Sequence, residues 1–270
     1  MIGGVMLLWF VLAGLSVAFV AIDIRTTPAH PVMKWGFILL VAYTGVFGLV
    51  LYVLGCREPM RNTHERFVAA RWRQVLGSTM HCVAGDGVGI LAGAVIASVI
   101  ALAGPVELAL EYLLGFAFGW TIFQALFMRD MAGGDYLRAL KITFIPELLS
   151  MNVLMAAMVP VMMLLRARIA PGAGPGDPAF WFVMSMALLA GFIVAYPMNW
   201  WLVSNHLKHG MFTVRAADDP GTHDDAGAKD ANEHGAMTPG SGEGDMSHAL
   251  PIWAMTALSF LALAAGLLIA

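Results

Sequence analysis

Seven apolar runs, near residues 2–24, 33–54, 76–103, 109–128, 142–165, 180–203 and 249–270, alternate with shorter polar stretches along the chain. Each has the length of about 20 residues that a helix needs to cross bilayer hydrocarbon. A lone lipid-facing strand leaves its backbone groups unsatisfied, so each run is expected to be an α-helix. The pattern predicts an all-α, polytopic membrane protein of about seven transmembrane helices. Residues 1–213 form a six-helix body, 214–248 a linker, and 249–270 a C-terminal transmembrane helix. The first run has no basic leader, so it reads as a retained helix rather than a cleaved signal peptide.

Composition agrees with that pattern and narrows the class. Charged residues make up 12% of the 270 residues and hydrophobic ones 59%, whereas soluble domains carry about 25% charged residues. An ordinary soluble enzyme and a disordered chain are excluded. Two cysteines, Cys56 and Cys82, make no disulfide framework. The net charge of −3 is misleading until it is divided. Within 214–248, Asp218, Asp219, Asp224, Asp225, Asp230, Glu233, Glu243 and Asp245 face only Arg215 and Lys229, and the remainder of the chain is basic. This linker has almost no apolar content and is expected to be disordered. Its His223, His234 and His248 read as part of a solvated tether, with a metal-collecting tail as the alternative. No basic patch with interleaved aromatics points to nucleic acid.

Lys and Arg concentrate in the connections 55–74, 129–141 and 204–248 and are sparse in 25–34, 104–108 and 166–179. With seven crossings, this bias places the N-terminus and the linker in the cytoplasm and the C-terminus outside a bacterial inner membrane.

Polar side chains inside a span are costly, so they locate candidate chemistry. The third run holds "STMHCVAGDGVGILAG". His81, Gly85, Gly89 and Gly93 recur every fourth residue, and a doubled small-residue stripe lets a neighbouring backbone approach closely. His81, Cys82 and Asp86 lie on or beside it and could hold a metal or pass a proton. The fifth run carries Glu147 and Asn152 after Pro146, then Met151, Met155, Met158 and Met162 at helical spacing. Thioethers are soft ligands suited to Cu(I), but such a stripe is more often packing. The sixth run ends in Tyr196, Pro197 and Asn199, followed by His206 and His209 on one helix face. These groups fall in the cytoplasmic halves of their helices and describe a polar pocket beneath a dry outer layer. Glu107 and Glu111 open the fourth run after Pro105, where the helix dipole accounts for them.

The stretches "VLGSTMHCVAGD", "GFAFGWTIFQALFMRDMAGGDYLRALKITFIPELLSMN" and "AYPMNWWLVSNHLKHGM" resemble a bacterial multi-pass membrane family catalogued as domain of unknown function number forty-three ninety-six. Its pattern corresponds to His81, Cys82, Gly85, Asp86, Met128, Asp130, Glu147, Met151, Asn152, Pro197, Asn199 and His209. Some members are labelled alongside copper oxidases, so the resemblance implies copper but no particular reaction.

The leading expectation is an integral membrane protein that handles or transports a soft metal ion, with Cu(I) as the ion its donor set suits. Met151, Met155, Met158 and Met162 would be its path, and His81, Cys82 and Glu147 its cytoplasmic site, with Asp86 balancing charge. One alternative is a proton-coupled small-solute transporter titrating at Asp86 and Glu147, with Asn152, Tyr196 and Asn199 in the pocket. Others are a metal-dependent membrane enzyme using His81, His206 and His209, and a structural subunit of a membrane complex. The absence of nucleotide, zincin, serine-hydrolase and haem-attachment motifs disfavours an enzyme. Expected partners are the bilayer, a metal ion or small solute, and a second copy of the chain if it forms a homo-oligomer.

Overall fold

The computed structural model describes residues 2–27, 29, 31–57, 64–210 and 250–270. The acidic linker, with His223, His234 and His248, lies outside the described residues. Helices α1 (Ile2–Asp23), α2 (Pro31–Thr44), α3 (Val46–Gly55), α4 (His64–Val68) and α5 (Arg71–Val99) make up the first half. They are followed by α6 (Pro105–Ala117), a π-helical segment (Phe118–Gln124) and α7 (Ala125–Met131) in one continuous rod. Then come α8 (Tyr136–Ile169), α9 (Pro178–Ser204) and α10 (Ile252–Ile269), and no strand occurs among the described residues. Six helical stretches are long and apolar enough to cross a membrane: Gly3–Thr26, Arg71–Val99, Pro105–Arg129, Tyr136–Ile169, Pro178–Ser204 and Ile252–Ile269. The protein is a multi-pass helical membrane protein.

Local chemistry sets several helix ends. Pro105 and Pro178 occupy first turns, where a fixed φ suits the helix and a missing N–H costs nothing. The Asp135 carboxylate accepts from the Arg138 amide and caps α8. Helices α5, α8 and α9 are the most buried, and α1, α6 and α10 flank them with mostly exposed apolar faces. Such faces suit lipid, where an apolar surface is not penalised.

The run at 33–54 departs from a single crossing helix. It breaks at Gly45, whose φ of 58° and ψ of −129° are open to glycine and strained for other residues. The chain then doubles back. The Phe37 and Tyr52 rings meet with centroids 5.3 Å apart, whereas an unbroken helix would hold them on the order of 22 Å apart. Gly48 packs against the Val41 backbone with no room for a Cβ. At the open end, Asp23 accepts from the Tyr52 hydroxyl at 2.7 Å and pairs with Arg57 at 3.1 Å. At the closed end, Gly45 rests on Trp9 and Ala13 of α1, and Ser185 of α9 donates to the Tyr43 carbonyl. Helices α2 and α3 therefore form a hairpin that enters and leaves on the same side. With 14 residues, α2 reaches about 21 Å, short of a bilayer core of about 30 Å.

Candidate functional site

Four helices and the segment after α9 bring a polar cluster together inside the bundle. Cys82 and Asp86 come from α5, Gln124 from the π segment, Glu147 and Ser150 from α8, and Asn199 from α9. Lys208 completes it. Cys82, Asp86, Glu147, Ser150 and Asn199 are fully buried, and Lys208 is 6% exposed.

Lys208 gets inside because α9 ends abruptly. His206 adopts a φ of 56°, and the amides of Leu207 and Lys208 both return to the Leu202 carbonyl. This turn sends the lysine stem back over the helix end. Its ammonium donates to the Cys82 sulfur, to Asn199 Oδ1 at 3.0 Å and to Glu147 Oε2 at 3.4 Å. Burial alone would lower the lysine's hold on its proton. The facing Cys82 and Glu147 outweigh that and keep it above the ordinary lysine range.

The other members fix one another. The Cys82 thiol donates to Glu147 Oε2 at 2.9 Å, and Gln124 Nε2 donates to the Cys82 sulfur at 2.9 Å. Asn199 Nδ2 donates to Ser150 Oγ at 2.9 Å and to the Ala195 carbonyl at 3.0 Å, which turns Oδ1 toward Lys208. Asp86 and Glu147 crowd one point, the place where Gly119 lacks a side chain. Both Asp86 oxygens and Glu147 Oε1 have no hydrogen-bond donor among the described residues.

The π segment shapes the wall. Its wider turns leave carbonyls for other partners. His81 Nε2 donates to the Phe123 carbonyl at 2.7 Å, and the Tyr136 hydroxyl donates to the Thr121 carbonyl at 2.8 Å. The glycine stripe of α5 faces α6 and this segment: Gly85 meets the Phe123 ring, Gly89 the Leu114 carbonyl and Gly93 the Glu111 backbone.

The remaining sequence candidates lie outside the hydrogen-bonded cluster. Asn152 is one turn beyond Glu147; it accepts from the Tyr112 hydroxyl at 2.6 Å and donates to Ser259 of α10 at 3.1 Å. Tyr196 lies near the surface, with its hydroxyl on the Trp72 carbonyl. Met151, Met155, Met158 and Met162 are buried in the main apolar cluster with Phe37, Met80 and Ile90. His206 is exposed, and His209 is half-buried in a shallow recess beside Gln124, Thr143 and Pro146. Among the described residues no three His, Cys, Asp or Glu side chains are placed to share an ion.

From the sequence alone Lys208 is one of the basic residues of the connection 204–248, with nothing to mark it as buried. Charge accounting could have found it, since two carboxyls buried in apolar helices require a cation and Lys208 stands next to a span end. Gly119 gave no comparable signal, because its role is to make room.

A family model described as "Domain of unknown function (DUF4396)" matches residues 71–208. The chain belongs to this family. The DUF4396 match starts with the first residue of α5 and ends on Lys208, so every member of the polar cluster falls within it. The hairpin, the linker and α10 fall outside. No curated protein and no solved structure matches the chain.

Proposed function

We propose that the protein is a proton-coupled transporter of a small solute, in which Asp86 and Glu147 exchange a proton and Lys208 is their fixed counter-charge. The supporting observation is the pair of buried carboxyls over Gly119, served by one buried ammonium. An unpaired buried charge is costly. One ammonium balances one carboxylate, so the second carboxyl carries a proton whenever the cluster is closed to water. Opening the cluster to either side lets that proton leave.

The donor geometry favours this reading over copper. A soft ion between Cys82 and Glu147 would need the point that Lys208 occupies, and His81 has its Nε2–H committed to the Phe123 carbonyl. Met151, Met155 and Met158 pack among apolar side chains, and only Met162, at the far end of the stripe, borders an opening. An enzyme centred on His81, His206 and His209 loses support for a similar reason: His81 is buried while His206 is exposed.

The hairpin changes how the chain is threaded through a bacterial inner membrane. With α2 and α3 returning to one side, six crossings remain. All of the 15 Lys and Arg except Arg166 and Arg168 then fall on the face that carries Lys208. The positive-inside rule makes that face cytoplasmic. The linker stays cytoplasmic and the C-terminus outside, while the N-terminus moves to the outer face.

The test combines infrared titration with ligand binding. A protonated-carboxyl band that titrates with pH is expected in the wild type and lost in Asp86→Asn and Glu147→Gln. Met151→Leu, Met155→Leu and Met158→Leu combined keep volume and apolarity and are expected to leave the band and the fold unchanged. Loss of Cu(I) binding in that triple variant, with a silent Asp86→Asn, would return the assignment to a metal.

A further inference from the structure

At the opposite end of the α5–α6 interface stands a third buried carboxyl, one that the cytoplasmic cluster does not use. Glu111 lies two turns into α6 and is fully buried, and neither of its oxygens has a hydrogen-bond donor among the described residues. It is packed there because Gly93 of α5 has no side chain: a Cβ on Gly93 would come within 2.8 Å of the Glu111 Cα. The α5 surface opposite, from Gly89 to Ala97, carries no titratable group. The charged groups facing Glu111 are Glu107, one turn nearer the helix start, and Arg166 of α8. Arg166 now donates to Glu107 at 3.0 Å. Glu107 and Arg166 line a cleft of about 340 Å³ with Gly104, Leu108, Met162 and Pro171, so the helical turn next to Glu111 borders open space.

We infer that Glu111 is a proton-binding site serving the face opposite Lys208, with Arg166 as a counter-charge that it shares with Glu107. A buried carboxylate with no donor is not sustained as an anion, so Glu111 holds a proton while Arg166 is engaged by Glu107. Release of that proton toward the cleft leaves a carboxylate that Arg166, on its flexible stem, can move to pair. This makes the arginine a two-position switch. Asp86 and the Glu111 contact at Gly93 are seven residues apart on α5, about 10 Å, and the buried apolar side chains of Ile90 and Met151, which meet at Gly115, lie between them. The two carboxyl sites thus stand on either side of a dry layer, each nearer one face. Tyr112, adjacent to Glu111, bonds to Asn152 within that layer and offers an intermediate hydroxyl. This inference rests on the proton-coupled reading for its purpose, but not for its chemistry.

The test uses the full chain in proteoliposomes, treated with dicyclohexylcarbodiimide, an apolar reagent that modifies protonated carboxyls buried in membranes. Peptide mass spectrometry locates the adducts across a pH series. Glu111 is expected to be modified at low and neutral pH, with labelling falling as pH rises. In Arg166→Gln the midpoint should move to higher pH by about one unit, since a nearby opposite charge is lost. Glu107→Gln, which frees Arg166 for Glu111, should move it lower. Glu111→Gln should abolish the adduct while the melting temperature stays close to that of the wild type. An unlabelled Glu111 in folded protein, or labelling indifferent to both pH and Arg166, would overturn the inference. Asp86 and Glu147 are read in the same digests. A titrating Glu111 beside an inert Asp86–Glu147 pair would sink the cytoplasmic proposal alone and leave this one standing.

Discussion

At the scale of single residues, Lys208 is the point that ties the cluster together. Its ammonium satisfies Cys82, Glu147 and Asn199 together, so removing it strands a buried carboxylate. Breaking a buried ion pair in this way costs about 3–5 kcal/mol. Lys208→Met is therefore expected to lower thermal stability in detergent sharply. Adding Glu147→Gln should recover part of the loss, because the uncompensated charge goes with it. Recovery absent in the double variant would show that the lysine stem, not its charge, matters.

The pH dependence of this pair has a definite sign. The hold of Lys208 on its proton is raised in the folded state. Its contribution is fully present below the unfolded lysine value of about 10.4 and is lost only as pH climbs through the higher folded value. His209 behaves in the opposite sense. Burial, and then the nearby His206, lower its affinity for a proton. Its contribution is present above the unfolded histidine value of about 6.5 and is lost as pH falls through the folded one. Melting curves should thus show an acid-side decline below neutrality that His209→Gln softens. The Lys208 contribution should be flat until strongly alkaline pH.

Two elements owe their shape to glycine, and each gives a prediction at that scale. Gly45 closes the α2–α3 hairpin in a conformation that strains an L residue, and an added Cβ would sit 3.2 Å from the Trp9 ring. Gly45→Ala should cost about 1–2 kcal/mol. It should also loosen the hairpin tip, read as faster hydrogen exchange from Tyr43 to Phe47. Gly119 lies in the π segment, where a Cβ would overlap the oxygens of Asp86 and Glu147. Gly119→Ala should force the two carboxyls apart and remove the protonated-carboxyl band expected in the infrared spectrum, even where the helices stay folded. The π segment itself has no clear sequence marker, since "FGWTIFQ" reads as an ordinary apolar helix.

For the whole molecule the decisive prediction concerns sidedness. With a hairpin in place of a crossing helix, the proposed threading expects both termini on one face and the linker on the other. A single cysteine at Gly3 or at Ala270 should react with a membrane-impermeant thiol reagent in intact cells. One at Gly240 should react only after the cells are opened. The native Cys56 and Cys82 are buried, so they give little background. Protection at Gly3 with reaction at Ala270 would show that residues 33–54 do cross, and would restore the seven-crossing map.

Much of this architecture was legible from the chain alone, for a plain reason. In hydrocarbon a backbone must satisfy its own polar groups, so long apolar runs can only be helices, and length and hydropathy give the approximate ends of the six that are long enough to cross. The membrane-buried polar residues were legible too, because each stands out against an apolar background. Asp86, Cys82, Glu147 and Asn199 were all singled out, and they do come together. What the sequence could not decide was direction and partnership. One backbone angle at Gly45 turns an apolar run of ordinary length back on itself, and hydropathy is blind to that angle. Whether Met151 to Met162 lined a path or filled a core depended on which helices packed against that face. Lys208 reads as a solvated charge until the turn at His206 folds it inward. Glu111 reads as a favourable charge at a helix start until Gly93 draws α5 over it. In each case the deciding quantity is a contact between residues far apart in the chain, and only the packed bundle supplies it.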